Sequence, residues 1–425
     1  MASFKEAGPR IVLLGATITG NRGAESMLRA AVQRVRDAVP GVKFRLFSLY
    51  PCDDRKENTD RDLEIVDFSP IFLVLAAFPM AMALAILARL HFPRRFLLRS
   101  KAVREIYTAD LVIDLSGISF VDGRGLGILL YNVLTVLVPR MLGTPVVKYS
   151  QALGPFRNPL NRLCAQWILP KVSRLAARGR ITRANLDTIS LPPGRVRECA
   201  DAAFAMRIGP EARERIAPLL DGPIFSHSVV CVSPSSVVES LCRAKGVDYP
   251  AIMALFIRYL TDEKGYRVLL LPHSARPGRS TSKNNDLMVC RAVHEKVDRP
   301  GECVYPEEVY NAEALRALIG SCRFLVASRF HAMISGLAME VPTLLVGWSH
   351  KYAEVLEVFD LEAYALDYAL VSLERLKDLF HQMEKEETAI RGKIREVLPS
   401  VVESSLSNVR MVVEALSDKG VGRAR

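Results

Sequence analysis

An arginine and a histidine stand two residues apart in CRFLVASRFHAMISGLAMEVPTLLVG, Cys322 to Gly347, where a buried strand hands over to a buried helix. Phe324 to Ala327 is a short apolar run, and Ser328 after it can cap a helix beginning at about Phe330. Ala332, Ser335, Gly336 and Ala338 keep that helix thin enough to lie against a sheet, and Pro342 to Val346 is the next strand. In an open α/β sheet, ligands gather at the carboxyl ends of strands, where helix N-termini offer N–H groups to anions. Arg329 and His331 therefore stand where an anion could be gripped and a proton moved. The structural alternative is an arginine paired with a carboxylate beside a satisfied buried histidine.

Other strand ends carry polar groups too. After a first strand at Ile11 to Gly15 comes GATITGNRGAESMLRAAVQRVR, in which Gly15, Gly20 and Gly23 surround a turn and Asn21 and Arg22 offer donors. Glu25 falls in the first turn of a helix starting at about Gly23. Such a loop can hold an acceptor sugar or a phosphate. It lacks the GK[ST] of a Walker loop and the spacing of GxGxxG, and a plain strand-to-helix turn is the alternative. DLSGISFVDGRGLG places Asp122 in a flexible loop, and KYSQALGPF closes a strand with Gln151 and a Gly154-Pro155 turn. In the second half, His273 follows a strand at Arg267 to Leu271, a polar, basic loop runs from Arg276 to Asn285, and Lys351 and Tyr352 follow the strand ending at Val346. His273, Arg329, His331 and Lys351 thus give four anion partners at successive strand ends.

The elements that must position these residues alternate strand and helix almost throughout, which argues for α/β architecture with parallel sheets. A chain of 425 residues suggests about two domains. The expectation is two Rossmann-type doubly wound domains facing across a cleft: 1–207 as the acceptor side, a Pro/Gly-rich linker at 208–226, 227–372 as the donor side, and a charged, strand-free helical tail at 373–425. Eight scattered cysteines read as reduced core residues of a cytosolic protein. No Cys or His spacing suggests a metal, so none is expected. The N-terminus lacks the apolar core of a secretory signal. Lys and Arg exceed Asp and Glu by 11, which favours anionic partners. Low aromatic content and the lack of any recognition motif argue against nucleic acid.

One insert, 70–105, breaks the soluble pattern. Ile71 to Ala88 carries no charge, and Arg89, Arg94, Arg95, Arg99, Lys101 and Arg104 follow before the first acid at Glu105. A single crossing would separate strands that belong in one sheet. The preferred reading is a helix or bent hairpin lying in the interface, with its basic flank on anionic head groups. A buried or oligomer-forming helix is the alternative, so a homo-oligomer stays open. A second basic stretch, Arg157 to Arg183, has no acid between Pro155 and Leu186; a solvated helix face explains it as well as lipid contact does.

In order along roughly 10 to 360, GNRGAESML, SGISFVD, SQALGPF, ITRANLDTI, ADAAFAM, LLLPHS and SRFHAMISGLAMEVPTLLVGWSHKY resemble the polysaccharide pyruvyl transferase family. The resemblance implies a GT-B-like fold and transfer of a pyruvyl group from phosphoenolpyruvate to sugar hydroxyls as a ketal, in exopolysaccharide or cell-surface glycan synthesis. It implies no cofactor beyond that donor substrate, and a saccharide acceptor, free or lipid-linked; the cysteine pattern and the apolar insert lead to the expectation of a cytoplasmic protein peripheral to the membrane. His331 and Arg329 would then be catalytic, with Arg183, His273, Lys351 and Ser328 toward the donor. Asn21, Arg22, Glu25, Asp122 and Gln151 would face the acceptor. SGISF and ALGPF depart from the glycine-rich loops common in the family, which leaves the acceptor's identity open. A GT-B glycosyltransferase using a nucleotide sugar, and a non-catalytic membrane-docked scaffold, are the competing readings.

Overall fold

A computed structural model describes residues 8–89, 100–276, 284–306, 308–348 and 350–423. Arg94, Arg95 and Arg99 of the basic flank, and 277–283 of the basic loop, lie outside them. The strands, in chain order, are β1 Arg10–Leu14, β2 Gly20–Asn21, β3 Lys43–Ser48, β4 Leu63–Asp67, β5 Leu111–Asp114, β6 Ile118–Ser119, β7 Val146–Leu153 and β8 Arg174–Arg178. They continue with β9 Val196–Cys199, β10 Val229–Ser233, β11 Arg267–Leu270, β12 Ser274–Ala275, β13 Cys303–Val304, β14 Phe324–Ala327, β15 Thr343–Gly347 and β16 Ala365–Asp367. Two compact units result: unit 1 is Met1–Ile18, Met27–Ala205 and Glu403–Arg425, and unit 2 is Thr19–Ser26 and Met206–Val402.

Unit 1 is built on a parallel sheet ordered β4-β3-β1-β5-β7-β8-β9, with β6 added beside β7. Its central strands read as unbroken apolar runs because helices cover both faces: Ile11 to Leu14 and Leu111 to Ile113 are all buried. Strand order reverses between β1 and β5, and the polar side chains gather at the carboxyl ends around that point. Lys148 Nζ donates to Asp114 Oδ2 at 2.7 Å, and both side chains are out of solvent. Gln151 completes this knot, accepting from Ser119 Oγ at 2.6 Å and Lys148 Nζ at 3.2 Å and donating to the Asp114 carbonyl at 2.8 Å. On the other side of β1, Asp54 accepts from Thr17 Oγ1 at 2.9 Å and Ser48 Oγ at 2.6 Å.

The apolar insert is a continuous helical stretch: Pro70–Phe72 in α geometry, a π turn at Leu73–Ala77, then Phe78–Arg89 in α geometry. Ser69 caps it by accepting from Phe72 N at 3.0 Å. The π turn closes with Phe78 N–H on the Leu73 carbonyl, directly before Pro79, which has no N–H to continue the ladder. Leu73, Ala77, Ala81 and Leu84 pack into the same core as Phe120, Val133 and Val136. By length and composition Pro70–Leu87 could cross a bilayer, yet that inner face is held in the unit 1 core.

Unit 2 carries a parallel sheet ordered β13-β11-β10-β14-β15-β16, with a short antiparallel pair, β12 and β2, that joins Ser274 to Asn21 and Ala275 to Gly20. The segment expected as a linker holds the helix Pro210–Leu220, whose Ala212 and Ile216 enter the unit 2 core beside Leu315 and Leu318. The tail folds as helices Leu373–Lys385 and Glu387–Arg423. Glu387 pairs with Arg323 in unit 2 at 2.7 Å, and Glu414 accepts from Arg174 at 3.2 Å and Arg197 at 3.0 Å in unit 1.

The Lys148–Asp114 pair gives the first prediction. Lys148→Met leaves a buried carboxylate without its cation and should cost about 3–5 kcal/mol in chemical unfolding, and adding Asp114→Asn should recover part of that loss. Equal midpoints for wild type and Lys148→Met would refute this account of the knot.

Candidate functional site

The Arg329/His331 junction lies in unit 2, at the carboxyl end of β14. Ser328 extends the sheet ladder, its N–H donating to the Ser233 carbonyl at 2.9 Å. Its hydroxyl does not cap the next helix, as the sequence suggests, because it is held by the Tyr249 hydroxyl at 2.7 Å. Arg329 takes the N-cap position of the helix Phe330–Ala338 in extended backbone geometry. Its guanidinium then meets a carboxylate: Nε donates to Asp286 Oδ2 at 2.9 Å and Nη2 to Asp286 Oδ1 at 2.5 Å, a bidentate fork. Nη2 also reaches Ser236 Oγ at 3.1 Å, and Nη1 reaches Asn284 Oδ1 at 2.6 Å. Four of the five N–H groups are thereby directed at protein acceptors. Burial of the guanidinium acts to lower its pKa, but the charge and hydrogen bonds of Asp286 outweigh it, so the value is raised.

Asp286 itself is fully buried and accepts two further bonds, from Ser236 N at 2.9 Å and Ser274 N at 2.8 Å. One carboxylate therefore ties together the starts of helices Ser236–Arg243, Leu287–Val297 and Phe330–Ala338 and the strand β12. These are loops at the carboxyl ends of β10, β11 and β14, the edge of the sheet where ligands bind.

Residues 19–26 complete the cluster, because they belong to unit 2. Asn21 Oδ1 accepts from the N–H of Gly23 at 3.1 Å and of Ala24 at 3.3 Å, opening the helix Arg22–Ala38. Arg22 Nη1 donates to Glu25 at 2.7 Å, and Glu25, fully buried, also accepts from Ala312 N at 3.1 Å. Gly23 lies against the His331 ring so closely that a Cβ there would fall 2.2 Å from Nδ1. His273 is buried, and its pKa is held well below the usual 6.5 by that burial and then by the charges of His331, Arg329 and Arg22. Lys351 Nζ sits 5.2, 5.3 and 5.5 Å from the ring centroids of Phe330, Trp348 and Tyr352, an aromatic cradle next to His331. Burial pushes the Tyr352 phenol up to about 12 against the opposing charge of Arg329.

The structure thus brings Asn21, Arg22, Glu25, His273, Arg329, His331 and Lys351 into one unit, the first three from a loop expected on the acceptor side. Arg183 stands in unit 1, where it pairs with Asp187 at 3.1 Å in an exposed turn of helix. Gln151 is enclosed in the unit 1 knot. Asp122 lines a unit 1 cavity and accepts from Arg157 N and Asn161 Nδ2, both at 2.7 Å. Sequence reasoning missed Asp286, Asn284 and Ser236, and it missed that Gly23 makes room for an imidazole. Asp286 stands directly before an apolar helical run, a helix-start signal that could have marked it. Among the described residues no group of three or more His, Cys, Asp or Glu could hold a metal ion.

Solved structures similar to this chain define its class. UDP-GlcNAc 2-epimerase from Neisseria meningitidis, bound to UDP-GlcNAc, has a TM-score of 0.60 at 11% identity, covering 95% of this chain and 100% of the epimerase. HepE of Anabaena, in complex with UDP and glucose, has a TM-score of 0.54 at 13% identity, covering 96% and 99%. Trehalose 6-phosphate synthase from Burkholderia multivorans has a TM-score of 0.53 at 12% identity, covering 98% of each chain. Together with the two α/β units and the C-terminal helix, these likenesses make the chain a protein of the GT-B-like fold. The family model for polysaccharide pyruvyl transferase matches residues 21–350, and the chain belongs to that family.

Two predictions follow from the packing. Gly23→Ala should displace the His331 ring and lower turnover on the order of a hundredfold, with thermal stability little changed; undiminished turnover would mean that the ring's position is unimportant. For His273, an unfolded chain takes up a proton near pH 6.5 that the folded chain refuses, so stability is lost as pH falls below that value. The loss is at most about 1.4 kcal/mol per pH unit for one group. In His273→Gln the urea midpoints at neutral and mildly acidic pH should therefore draw closer together than in wild type.

Proposed function

We propose that the unit 2 cluster binds phosphoenolpyruvate and that the protein transfers its pyruvyl group to two hydroxyls of a saccharide as a cyclic ketal. The reading is carried by one observation: Arg22, buried His273, Arg329 and His331 are gathered in unit 2 at the sheet edge where anions bind, with Gly23 against the His331 ring. A ligand with a carboxylate and a phosphate suits such surroundings, and family membership makes a pyruvyl donor the natural one.

Each residue then has a role. Arg329 is a positioning group, since its fork is closed on Asp286 and a single Nη1 N–H is left for a ligand. Arg22 and Lys351 supply charge toward the carboxylate and phosphate. His331 delivers a proton to the methylene carbon, which leaves an oxocarbenium centre at the adjacent carbon for the first sugar hydroxyl to attack. Cleavage of the bond from that carbon to the phosphate oxygen regenerates the oxocarbenium, and the second hydroxyl closes the ring. Of the two hydroxyl protons, one restores His331 and the other leaves on inorganic phosphate. The donor's negative charge raises the pKa of His331 and so prepares it to act as an acid.

A second reading has a specific motive, because HepE was solved with UDP and glucose and shares the fold. A nucleotide-sugar transferase would be stabilised by uridine diphosphate. On the reading preferred here, phosphoenolpyruvate raises the melting temperature and uridine or guanosine diphosphate does not. With phosphoenolpyruvate and a saccharide acceptor, the product should gain the mass of one pyruvic acid less one water, and His331→Ala should lose that product while keeping its fold. Stabilisation by the nucleotide alone, with no mass gain, would favour the second reading.

A further inference from the structure

The proposed reaction gives the outward side of the apolar insert no role. Among the described residues, ten of the eighteen large apolar side chains that are exposed lie on three neighbouring helical stretches of unit 1. Ile71, Leu75, Met82 and Ile86 form a stripe along 70–89, with exposed Pro79 between its halves. Leu126, Ile128 and Leu130 stand at the start of the helix Leu126–Met141, and Leu160, Leu163 and Trp167 at helical spacing on Pro159–Ile168. Leu75 is 72% exposed and Leu126 70%, so these are not side chains caught at the rim of a core. Water is a poor neighbour for so much apolar surface in one region.

The charge around it is mainly positive, Asp122 being the exception, with its carboxylate taken up by Arg157 N and Asn161 Nδ2. None of the three stretches contains an acid, and none occurs from Pro155 to Leu186. Arg124, Arg157 and Arg162 are exposed, and Lys171 Nζ lies 4.6 Å from the Trp167 ring centroid, a cation resting on an amphipathic ring. A cavity of about 330 Å³ opens among Leu126, Ile128 and Leu160, with Asp122, Asn132 and Asn161 also lining it. Asn132, only 5% exposed, is the most enclosed of these polar residues together with Asn161.

We propose that this face of unit 1 docks on an anionic lipid bilayer. The outward stripe, Leu126, Leu163 and Trp167 enter the boundary between head groups and acyl chains, and Arg157, Arg162 and Lys171 meet lipid phosphates. Two features favour a bilayer over a second copy of the chain. A two-fold interface would set cationic faces against each other, whereas anionic head groups neutralise them. A cavity with polar groups inside an apolar face suits mobile head groups that can enter it. The inference does not depend on which donor unit 2 binds.

The test is sedimentation of the full chain with vesicles of phosphatidylcholine alone or mixed with phosphatidylglycerol. Binding is expected on the anionic vesicles, weakening as salt is raised. Combining Arg157→Gln, Arg162→Gln and Lys171→Gln should weaken it on the order of a hundredfold. Leu75→Glu with Leu163→Glu should abolish it while leaving thermal unfolding unchanged. Variants that sediment like wild type would overturn the proposal. So would absence of vesicle binding together with a dimer, seen by light scattering, that the leucine variants convert to monomer.

Discussion

The bidentate pair between Arg329 and Asp286 is the constraint on which the unit 2 site depends. A buried carboxylate left alone would be expensive, and here it is answered by a guanidinium and two backbone N–H groups at once. Because these donors come from three segments, at Ser236, Ser274 and Arg329, satisfying Asp286 also fixes where those segments stand. His331 is two residues beyond Arg329 on the first turn of the same helix, so its ring inherits that placement. The arginine is thus valuable for what it holds still, and on the proposed function the chemistry would fall to the neighbours that it orients.

Unit 1 uses the same kind of interaction differently. Lys148 and Asp114 also form a buried pair at strand ends, but their remaining bonds close on Gln151 and Ser119, sealing the sheet edge. In unit 2 burial, and then the charges of His331, Arg329 and Arg22, hold the His273 pKa well below its ordinary value, and on the proposed function an arriving anion would oppose that shift. One arrangement serves stability, the other leaves a response to charge.

Much of this was readable in the chain. Parallel strands buried on both faces leave unbroken apolar runs, and such runs located β1, β5, β10, β14 and β15. Arg329 and His331 stood out because polar residues at the end of a buried run have few reasons to be there. The partner of Arg329 did not, since Asp286 lies 43 residues away and its place before a helical run marks a helix start but not a contact made through the fold. The cap expected of Ser328 failed for the same reason: Tyr249, 79 positions earlier, takes the hydroxyl. The insert shows another limit. Its composition announced an apolar helix, but no polar residue distinguishes Leu73, Ala77, Ala81 and Leu84, which are buried, from Ile71, Leu75, Met82 and Ile86, which are not.

The path of the chain between units has a consequence for how the protein is made. Residues 19–26 leave unit 1 for unit 2 and return, and the helix Glu387–Arg423 begins in unit 2 and finishes in unit 1. On the ribosome, unit 1 therefore cannot settle as an early, finished domain, because Ser405 and Glu414, which bond to residues 201 and 174, emerge only after all of unit 2. Nor can unit 2 be excised as 206–402, for that fragment would lack Arg22, Glu25 and the glycine on which His331 rests. The two halves of the protein are separate cores but a single folding problem, solved late.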